Sequence, residues 1–244
     1  MKAIILCAGR GERLMPLTQN IPKPMIKIKG KPILWYNISL CKKYGISDIA
    51  VNTSYLPEKI KDYFEDGKEF GVNIVYSYEP ELLGTSGALN NFRDFLDDDF
   101  IVIYGDCVSN IDFGKMLEYH KKNKPIATIA LRKKPKEYKT QSLILADEQL
   151  NIINFLEKPS QELVDKFSSE FKLINSGIYI LSPKILAYIR DGFSDFGYNI
   201  FPLLIEKKEK IKGFMIDEFF YREIGTVEKY MLAKKEVEQN LTVI

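Results

Sequence analysis

Short apolar runs alternate with amphipathic segments along the first half of the chain. The run KAIIL is continuously apolar after its lysine, which is typical of a buried strand. Helical spacing follows in KPILWYNISLCKKYG, where Leu34, Ile38 and Cys41 fall on one face and Gly45 ends the segment. The alternation continues to about residue 125, with strands predicted at DIAVNTS, VNIVYSY and DFIVIYGD and helices at PEKIKDYFEDGKEFG and TSGALNNFRDFL. This pattern predicts right-handed βαβ units and a mainly parallel sheet.

The second half has a different rhythm. The runs IATIALRKK, SLILADE and IINFLEKP follow one another with little helix between them, and ADEQLN is typical of a turn between antiparallel strands. Two further strands are predicted at FKLINSGIYILS and KIKGFMIDEFF, before a C-terminal helix with Tyr230, Ala233, Val237 and Leu241 on one face. The predicted fold class is α/β in a single domain, residues 1–244. A mainly parallel, Rossmann-like central sheet flanked by helices occupies residues 1–125, and a mixed or antiparallel half occupies residues 126–244.

Composition narrows the classes of function. The 244 residues are 45% apolar, and 35 basic side chains nearly balance 33 acidic ones, which argues against a nucleic-acid partner. No run approaches the roughly 20 apolar residues of a membrane span, and the N-terminal apolar run is too short for a signal peptide. The three cysteines lack metal-site spacing and are interpreted as reduced thiols of a cytoplasmic protein. The lone histidine, His120, excludes a multi-histidine metal site and is expected at a solvated helix position.

The stretch AIILCAGRGERLMPLTQNIPKPM places glycines and cations where the first strand stops. Gly9 and Gly11 allow the backbone to approach a ligand and turn its N–H groups toward an anion. Arg13 and Lys23 add positive charge, and the prolines on either side of Lys23 restrict its backbone. Ligands of such sheets bind at the carboxyl ends of strands, so the stretch predicts a polyphosphate site. A tight strand-to-helix turn would need the same glycines, and Leu14 replaces the third glycine of the dinucleotide fingerprint.

The same stretch resembles the signature of the sugar-phosphate nucleotidyltransferases, or NDP-sugar pyrophosphorylases, whose usual form is Leu-Ala-Gly-Gly-x-Gly-Thr-Arg-Leu-x-Pro-Leu-Thr followed by Pro-Lys-Pro. Further blocks match in the family's order: LLGTSGAL, VIYGDCV, EKP, INSGIY and YREIGTVEKY. Together the blocks span residues 3–230. The Leu-Gly-Thr-Ser-Gly segment at 83–87 is similar to the loop of mannose-1-phosphate guanylyltransferases. We expect the short, single-activity form, without the family's β-helical acyltransferase extension.

The resemblance implies a reaction and a set of residues. A nucleoside monophosphate passes from a nucleoside triphosphate (NTP), with GTP favoured, to a sugar 1-phosphate, and pyrophosphate leaves. The product would be a nucleotide sugar for cell-surface polysaccharide. Arg13, Lys23 and Asp106 would be catalytic, and Asp106 and Glu223 would bind the cofactor Mg²⁺. The residues implied for nucleotide binding are Leu6, Ala8, Gly9, Gly11, Glu79, Gly84 and Thr85. Those implied for sugar-phosphate binding are Gly105, Glu157, Lys158 and Asn175.

Three positions depart from the family pattern. Glu12 replaces the usual Thr or Ser, Glu223 replaces Asp, and Gln141 or Ser142 stands where many members have a glycine that contacts the sugar.

Glu79 carries the prediction for the base, because a carboxylate accepts from the two adjacent donors of guanine. The alternative is that Glu79 faces solvent and the backbone reads the base.

Other interpretations stay open. The chain could be a uridylyl-, thymidylyl- or cytidylyltransferase of the same family, a non-catalytic paralogue that binds nucleotide sugar, or a nucleotide-dependent oxidoreductase. Taken singly, Asp106 could cap a turn and Glu157–Lys158–Pro159 could be a solvated strand exit. The basic clusters at 132–134 and 207–212 are expected to be solvated. The expected partners are the NTP and the sugar 1-phosphate, with no nucleic acid and no membrane; a homo-oligomer stays open.

Overall fold

Strands and helices alternate along the chain in the computed structural model, which describes residues 1–135, 142–167 and 172–239. The strands are β1 Lys2–Leu6, β2 Lys27–Ile28, β3 Lys31–Pro32, β4 Asp48–Thr53, β5 Asn73–Tyr78, β6 Phe100–Tyr104, β7 Cys107–Ser109, β8 Ala127–Lys133, β9 Leu143–Ala146, β10 Ile152–Leu156, β11 Leu173–Leu181, β12 Ile211–Met215 and β13 Tyr221–Glu223. The helices are α1 Ile33–Lys43, α2 Pro57–Phe64, α3 Gly84–Gly87, α4 Phe113–Asn123, α5 Gln161–Phe167, α6 Phe201–Glu206 and α7 Val227–Gln239. Within the described ranges, none of these helices has the length and apolar character needed to cross a membrane.

Two compact units divide the chain. The first contains Met1–Leu82, Asp94–Phe113 and the segment from Phe219 onward; the second contains Leu83–Arg93 and Gly114–Glu218. The units are therefore not the two consecutive halves that the sequence predicted, because 83–93 falls in the second unit and the C-terminal helix falls in the first. The assignment of one half to the nucleotide and the other to the sugar phosphate stays a prediction.

A parallel sheet forms the centre of the first unit. Strand β1 pairs in parallel with β4 and with β6, and β4 pairs in parallel with β5, which gives the order β6–β1–β4–β5. Leu6, the last residue of β1, is in register with Asn52 of β4 and Tyr104 of β6. The carboxyl ends of three neighbouring strands therefore meet at one edge, where the sequence predicted a ligand. The α/β class with a mainly parallel central sheet flanked by helices is confirmed.

The helices of the first unit match the sequence pattern unevenly. Helix α1 buries the predicted apolar face, Leu34, Ile38 and Cys41. The helix predicted from residue 57 to 71 stops at Phe64, because Glu65 (φ 45°) and Gly67 (φ 85°) leave the helical region. The helix predicted at 85–96 is confirmed in part: α3 is a single α-helical turn, a 3-10 turn, Ala88–Phe92, continues it, and residues 93–96 lie beyond its end.

The sheet of the second unit is mixed, as the change of rhythm predicted. Strands β10, β9, β11 and β8 pair in that order and antiparallel, and β12 adds to β8 in parallel. The turn predicted at ADEQLN joins β9 to β10. Asp147 closes this turn, since its carboxylate accepts the backbone N–H groups of Gln149 at 2.9 Å and Asn151 at 2.8 Å.

A two-stranded ribbon in the first unit was missed by the sequence analysis. Strands β7 and β13 pair antiparallel, with Cys107 opposite Glu223. Helix α7 then buries Ala233 and Val237 in a cluster with α1 and with apolar residues between β1 and α1, such as Leu14 and Ile26. The apolar face predicted for this helix is confirmed at these two positions and at the partly buried Tyr230, which packs against the same cluster, while Leu241 lies outside the described residues. This packing positions the segment after β13, which contributes to the site below.

Two polar side chains are buried against expectation. His120 is 2% exposed, and its Nδ1 lies 2.8 Å from the hydroxyl of Thr128, so the predicted solvated position was wrong. Lys212 is 4% exposed, and its ammonium group donates to the carbonyl of Gln149 and to Asn151 Oδ1. The second basic cluster is therefore not a wholly solvated face, because its last lysine is satisfied inside the second unit.

Candidate active site

A cavity of about 440 Å³ lies in the first unit beside the loop that follows β1. Its lining residues are Gly9, Arg10, Gly11, Glu12, Arg13, Lys23, Leu82 and Gly225. The four residues on which the polyphosphate prediction depended, Gly9, Gly11, Arg13 and Lys23, all line this cavity. Glycine backbone, guanidinium and ammonium groups thus meet in one place, which is the arrangement that an oligophosphate needs. Leu6 and the buried Ala8, also predicted for the nucleotide, lie at the end of β1 immediately before this loop.

Gly11 shapes the loop. Its φ of 70° is left-handed, and its carbonyl accepts from the hydroxyl of buried Thr18 at 2.8 Å and from the backbone N–H of Leu14 at 2.9 Å. A Cβ at Gly11 would lie 3.0 Å from Thr18 Cγ2 and 3.1 Å from Lys23 Cβ. Glycine is therefore required by both the backbone conformation and the space, and the loop packs directly on the stem of Lys23.

Lys23 and Asp106 form an ion pair within the first unit. Lys23 begins a short 3-10 turn after the extended Pro22, and its Nζ donates to Asp106 Oδ2. The side chains are 12% and 24% exposed, so solvent screens this pair less than a surface pair. Asp106 follows Gly105, whose N–H donates to the Leu6 carbonyl at 2.9 Å and fastens the ends of β6 and β1 together. Gly105 thus belongs to the first unit, whereas the other residues predicted for the sugar phosphate belong to the second.

Glu223 stands beside Asp106 through the β7–β13 ribbon. The N–H of Ile224 donates to the backbone carbonyl of Asp106 at 2.8 Å. Lys229 Nζ donates to Glu223 Oε2 at 2.7 Å. Glu223 Oε1 and Arg13 Nη2 lie 2.5 Å and 3.5 Å from the point where a Cβ on Gly225 would stand. Glu223 therefore lies at the edge of the cavity that Gly225 and Arg13 line.

The donor set at Asp106 and Glu223 fits Mg²⁺ that is held jointly by protein and substrate. Among the described residues there is no group of three or more His, Cys, Asp or Glu side chains that could hold a metal. Two carboxylates remain, one just before β7 and one at the end of β13, each with a lysine partner. Mg²⁺ is usually held by one or two carboxylates together with substrate phosphates and water, so two protein ligands are sufficient.

Glu79 is placed differently from either expectation. Its side chain is 1% exposed, so the alternative that it faces solvent was wrong. Asn52 Nδ2 donates to Glu79 Oε1 at 2.8 Å, and the N–H of Cys7 donates to Asn52 Oδ1 at 2.7 Å. Glu79 is thus linked through Asn52 to the backbone N–H of Cys7, where the loop after β1 begins. A buried carboxylate engaged in this way gives no support to base reading by Glu79, and no sequence pattern indicated the part played by Asn52.

We expect Asn52→Ala to destabilise the protein by about 1–3 kcal/mol, because buried Glu79 and the Cys7 N–H would each lose one hydrogen bond. Urea denaturation measures this loss. Asn73→Ala is the matched control, since Asn73 makes an exposed amide-to-carboxylate hydrogen bond to Asp48 at 3.0 Å and should cost little. Equal midpoints for the two variants would contradict the structural role of Asn52.

Gly84 and Thr85 belong to the second unit and lie in α3. The hydroxyl of Thr85 donates to Asp195 Oδ2 at 2.7 Å. The N–H groups of Ser86 and Gly87 both donate to the Ser194 carbonyl at 3.0 Å. The segment around Asp195 therefore holds the loop that was predicted to contact the nucleotide, and no sequence motif indicated this segment.

Glu157 and Lys158 follow β10 in the second unit. Burial, and secondarily the neighbouring Asp195 carboxylate, raises the pKa of Glu157 to about 7, while Lys158 opposes the rise. Lys158 is exposed, with Nζ 5.9 Å from the ring centroid of Tyr198. Glu157 is therefore not a fully solvated strand exit, whereas the ammonium group of Lys158 is open to a ligand.

Asn175 is held in place by its neighbours on β11 and beside β9. Its Nδ2 donates to Tyr179 Oη at 2.7 Å, and its Oδ1 accepts from the N–H of Gly177 at 2.9 Å. Ser142 Oγ accepts the N–H of Asn175 at 3.1 Å. Ser142 thus supports the strand at the place where relatives were expected to have glycine, and Gln141 lies outside the described residues.

Comparison with known proteins shows the family of this chain. A family model described as nucleotidyl transferase matches residues 2–240. The chain belongs to the nucleotidyl transferase family. It is 37% identical to UTP–glucose-1-phosphate uridylyltransferase of Synechocystis sp., over 97% of this chain and 63% of that protein. It is 31% identical to the probable mannose-1-phosphate guanylyltransferase 1 of Oryza sativa subsp. japonica, over 95% of this chain and 63% of that protein.

A solved structure extends the comparison to the fold of this nucleotidyl transferase. HddC from Yersinia pseudotuberculosis, complexed with GMP-PN, superposes with a TM-score of 0.77 at 26% identity, covering 96% of this chain and 98% of that one. The resemblance to sugar-phosphate nucleotidyltransferases that the motifs indicated is confirmed. The chain spans only 63% of the length of the two sequence relatives named above.

Proposed function

We propose that this nucleotidyl transferase moves a nucleoside monophosphate from an NTP to a sugar 1-phosphate, releasing pyrophosphate. The observation that carries the proposal is the cavity after β1, where Gly9, Gly11, Arg13 and Lys23 converge next to the Asp106 carboxylate. An oxygen of the sugar phosphate attacks the α-phosphorus as the bond to pyrophosphate breaks. The attacking phosphate is already ionised, so the reaction needs no protein nucleophile and no general base.

The first unit is assigned to the triphosphate. The backbone at Gly9 and Gly11, with Arg13, would hold the β- and γ-phosphates. Lys23 would act at the α-phosphate, where negative charge accumulates in the transition state. Asp106 and Glu223 are the residues that would hold Mg²⁺. When bound, this ion would neutralise phosphate charge and help to align the reacting groups.

The second unit is assigned to the sugar phosphate. The exposed ammonium group of Lys158 would pair with the phosphate, and Glu157 and Asn175 would accept or donate hydrogen bonds at sugar hydroxyls. Gly84 and Thr85 remain assigned to the nucleotide. We place the reaction in the cytoplasm, in keeping with three cysteines that are free and buried.

GTP is the proposed donor. The support comes from the similarity to a probable mannose-1-phosphate guanylyltransferase and to HddC, whose solved complex contains GMP-PN. UTP is a second candidate, because the relative named as a uridylyltransferase is the more similar in sequence, at 37% identity. The buried position of Glu79 removes the argument from a guanine-pairing carboxylate, so the choice between the two bases depends on these relatives.

Pyrophosphate release tests the proposal. The purified chain is incubated with Mg²⁺, each of GTP, UTP, dTTP, CTP and ATP at equal concentration, and mannose, glucose or heptose 1-phosphate. We expect turnover that requires both substrates and is at least about tenfold faster with GTP, the factor that a difference of 1.4 kcal/mol gives. A tenfold preference for UTP would replace the proposed donor. Nucleotide-sugar binding without turnover would indicate a non-catalytic paralogue.

A further inference from the structure

The segment around Asp195 in the second unit contacts residues assigned to both substrates. Asp195 precedes a π-helical turn, Phe196–Ile200, and caps it. Its Oδ1 accepts the N–H of Gly197 at 2.8 Å and the N–H of Tyr198 at 3.2 Å. This part of the arrangement is ordinary helix capping, which serine or asparagine could also perform.

The other oxygen of Asp195 contacts the nucleotide loop, Gly84–Gly87, which was predicted to contact the nucleotide. Asp195 Oδ2 accepts from the hydroxyl of Thr85 at 2.7 Å, and Thr85 Oγ1 accepts the N–H of Phe196 at 2.9 Å. Ser194 adds four hydrogen bonds to residues 83–87. Its carbonyl accepts two N–H groups, its own N–H donates to the Leu83 carbonyl at 2.8 Å, and its hydroxyl bonds that of Ser86 at 2.8 Å. Helix α3 therefore cannot shift without moving residues 194–196.

The same segment touches the residue assigned to the sugar. A Cβ on Gly197 would lie 2.6 Å from Glu157 Oε2 and 2.9 Å from Glu157 Cδ, so the carboxyl group of Glu157 occupies the space that a side chain at 197 would need. Asp195 and Lys158 are the charged groups that act on Glu157. The backbone capped by Asp195 is therefore the surface against which Glu157 rests.

We propose that Asp195 is a positioning residue that couples the nucleotide loop at Gly84–Gly87 to the sugar-binding carboxylate of Glu157. The proposal rests on the function proposed above. A carboxylate suits this position because one oxygen can accept the capping N–H groups while the other accepts the Thr85 hydroxyl, and neither donates. One side chain thereby fixes the placement of groups assigned to the two different substrates.

Asp195→Asn is the direct test, because the amide keeps the capping oxygen but reverses the contact with Thr85 and removes the charge beside Glu157. We expect KM for both the NTP and the sugar 1-phosphate to rise about five- to tenfold, which corresponds to losing one buried hydrogen bond. The pH dependence supplies a second readout. In the wild type, we expect KM for the sugar 1-phosphate to fall with rising pH as Glu157, whose pKa is raised to about 7, ionises; in Asp195→Asn we expect this midpoint to move to lower pH, because the negative charge that helps to raise the pKa is removed.

Asp147→Asn is the matched control. Asp147 also caps a turn in the second unit through two backbone N–H groups, but none of these hydrogen bonds involves the nucleotide loop or Glu157. We expect this variant to keep both KM values and the pH midpoint of the wild type. If Asp195→Asn had the same two KM values and the same pH midpoint as Asp147→Asn, the coupling would be overturned while the proposed function stayed intact.

Gly197→Ala tests the sugar side without removing the cap. The φ of Gly197 lies outside the left-handed region, so alanine is compatible with the backbone, and the flexible Glu157 side chain can yield to the new methyl group. We expect KM for the sugar 1-phosphate to rise about tenfold and KM for the NTP to stay unchanged. Unchanged sugar-phosphate KM would overturn the contact between this segment and the sugar site. A wild-type chain without turnover in the substrate panel would overturn both the proposed function and this inference.

Discussion

We expect Asp106→Ala to lower kcat for pyrophosphate release by about 10³-fold, while the chain stays folded. The carboxylate is the proposed metal ligand and the partner of Lys23, so its removal takes away two charge contacts of the triphosphate site at once. The fold should persist because the hydrogen bond from Ile224 reaches the backbone carbonyl of Asp106 and not its side chain. Steady-state kinetics at saturating substrate measures the loss, and circular dichroism checks the fold.

Asp97→Ala controls for the loss of an aspartate–lysine pair as such. Asp97 accepts from Lys2 Nζ at 2.7 Å in the same unit, but its side chain is 64% exposed. An exposed pair contributes little, so this variant should keep wild-type rates. Near-normal turnover by Asp106→Ala at saturating substrate would show that Asp106 does not act on the reacting phosphates.

Elements with strong periodicity could be predicted from the sequence. In β1, a continuous apolar run, and in α1, which has apolar residues at helical spacing, most of the apolar side chains are buried. The local pattern therefore agrees with the final structure. The ribbon of β7 and β13 could not be predicted, because each strand is three residues long and pairs across more than a hundred residues of chain. The helix predicted at 85–96 is confirmed only in part, because helical backbone covers 84–92 and its second part is a 3-10 turn; the N–H groups of Ser86 and Gly87, which have no partner inside a helix that starts here, are bonded to the Ser194 carbonyl.

The residues of the candidate site likewise fall into those that a local sequence pattern predicts and those that it does not. Residues within one loop, such as Gly11 and Arg13, carry a local signal, because glycines and cations close together at a strand end favour an anion-binding loop. Asn52 and Asp195 carry none, since a polar residue near the end of a strand or before a turn is ordinary. Their importance depends on partners distant in sequence. Burial likewise decides the position of Glu79, and a residue type that is mostly exposed gives no sign of it.

We expect Lys23→Ala to lower kcat by about 10²–10³-fold, because an ammonium group preorganised at the α-phosphate stabilises charge that develops only in the transition state. The backbone around Lys23 should keep its 3-10 turn, which alanine accommodates. Lys2→Ala is the matched control, since it removes a lysine paired with a surface aspartate in the same unit. Turnover is followed by pyrophosphate release at saturating NTP and sugar 1-phosphate.

The double variant Lys23→Ala/Asp106→Ala shows whether the pair acts as a unit. Because the two side chains are bonded to each other, each single variant already disrupts the arrangement that the other requires. The double variant should therefore be no more than about tenfold slower than the worse single variant, as for catalytic groups that act together. A double variant whose fold-loss in kcat equals the product of the two single losses would contradict this expectation. It would mean that Lys23 and Asp106 stabilise the transition state independently.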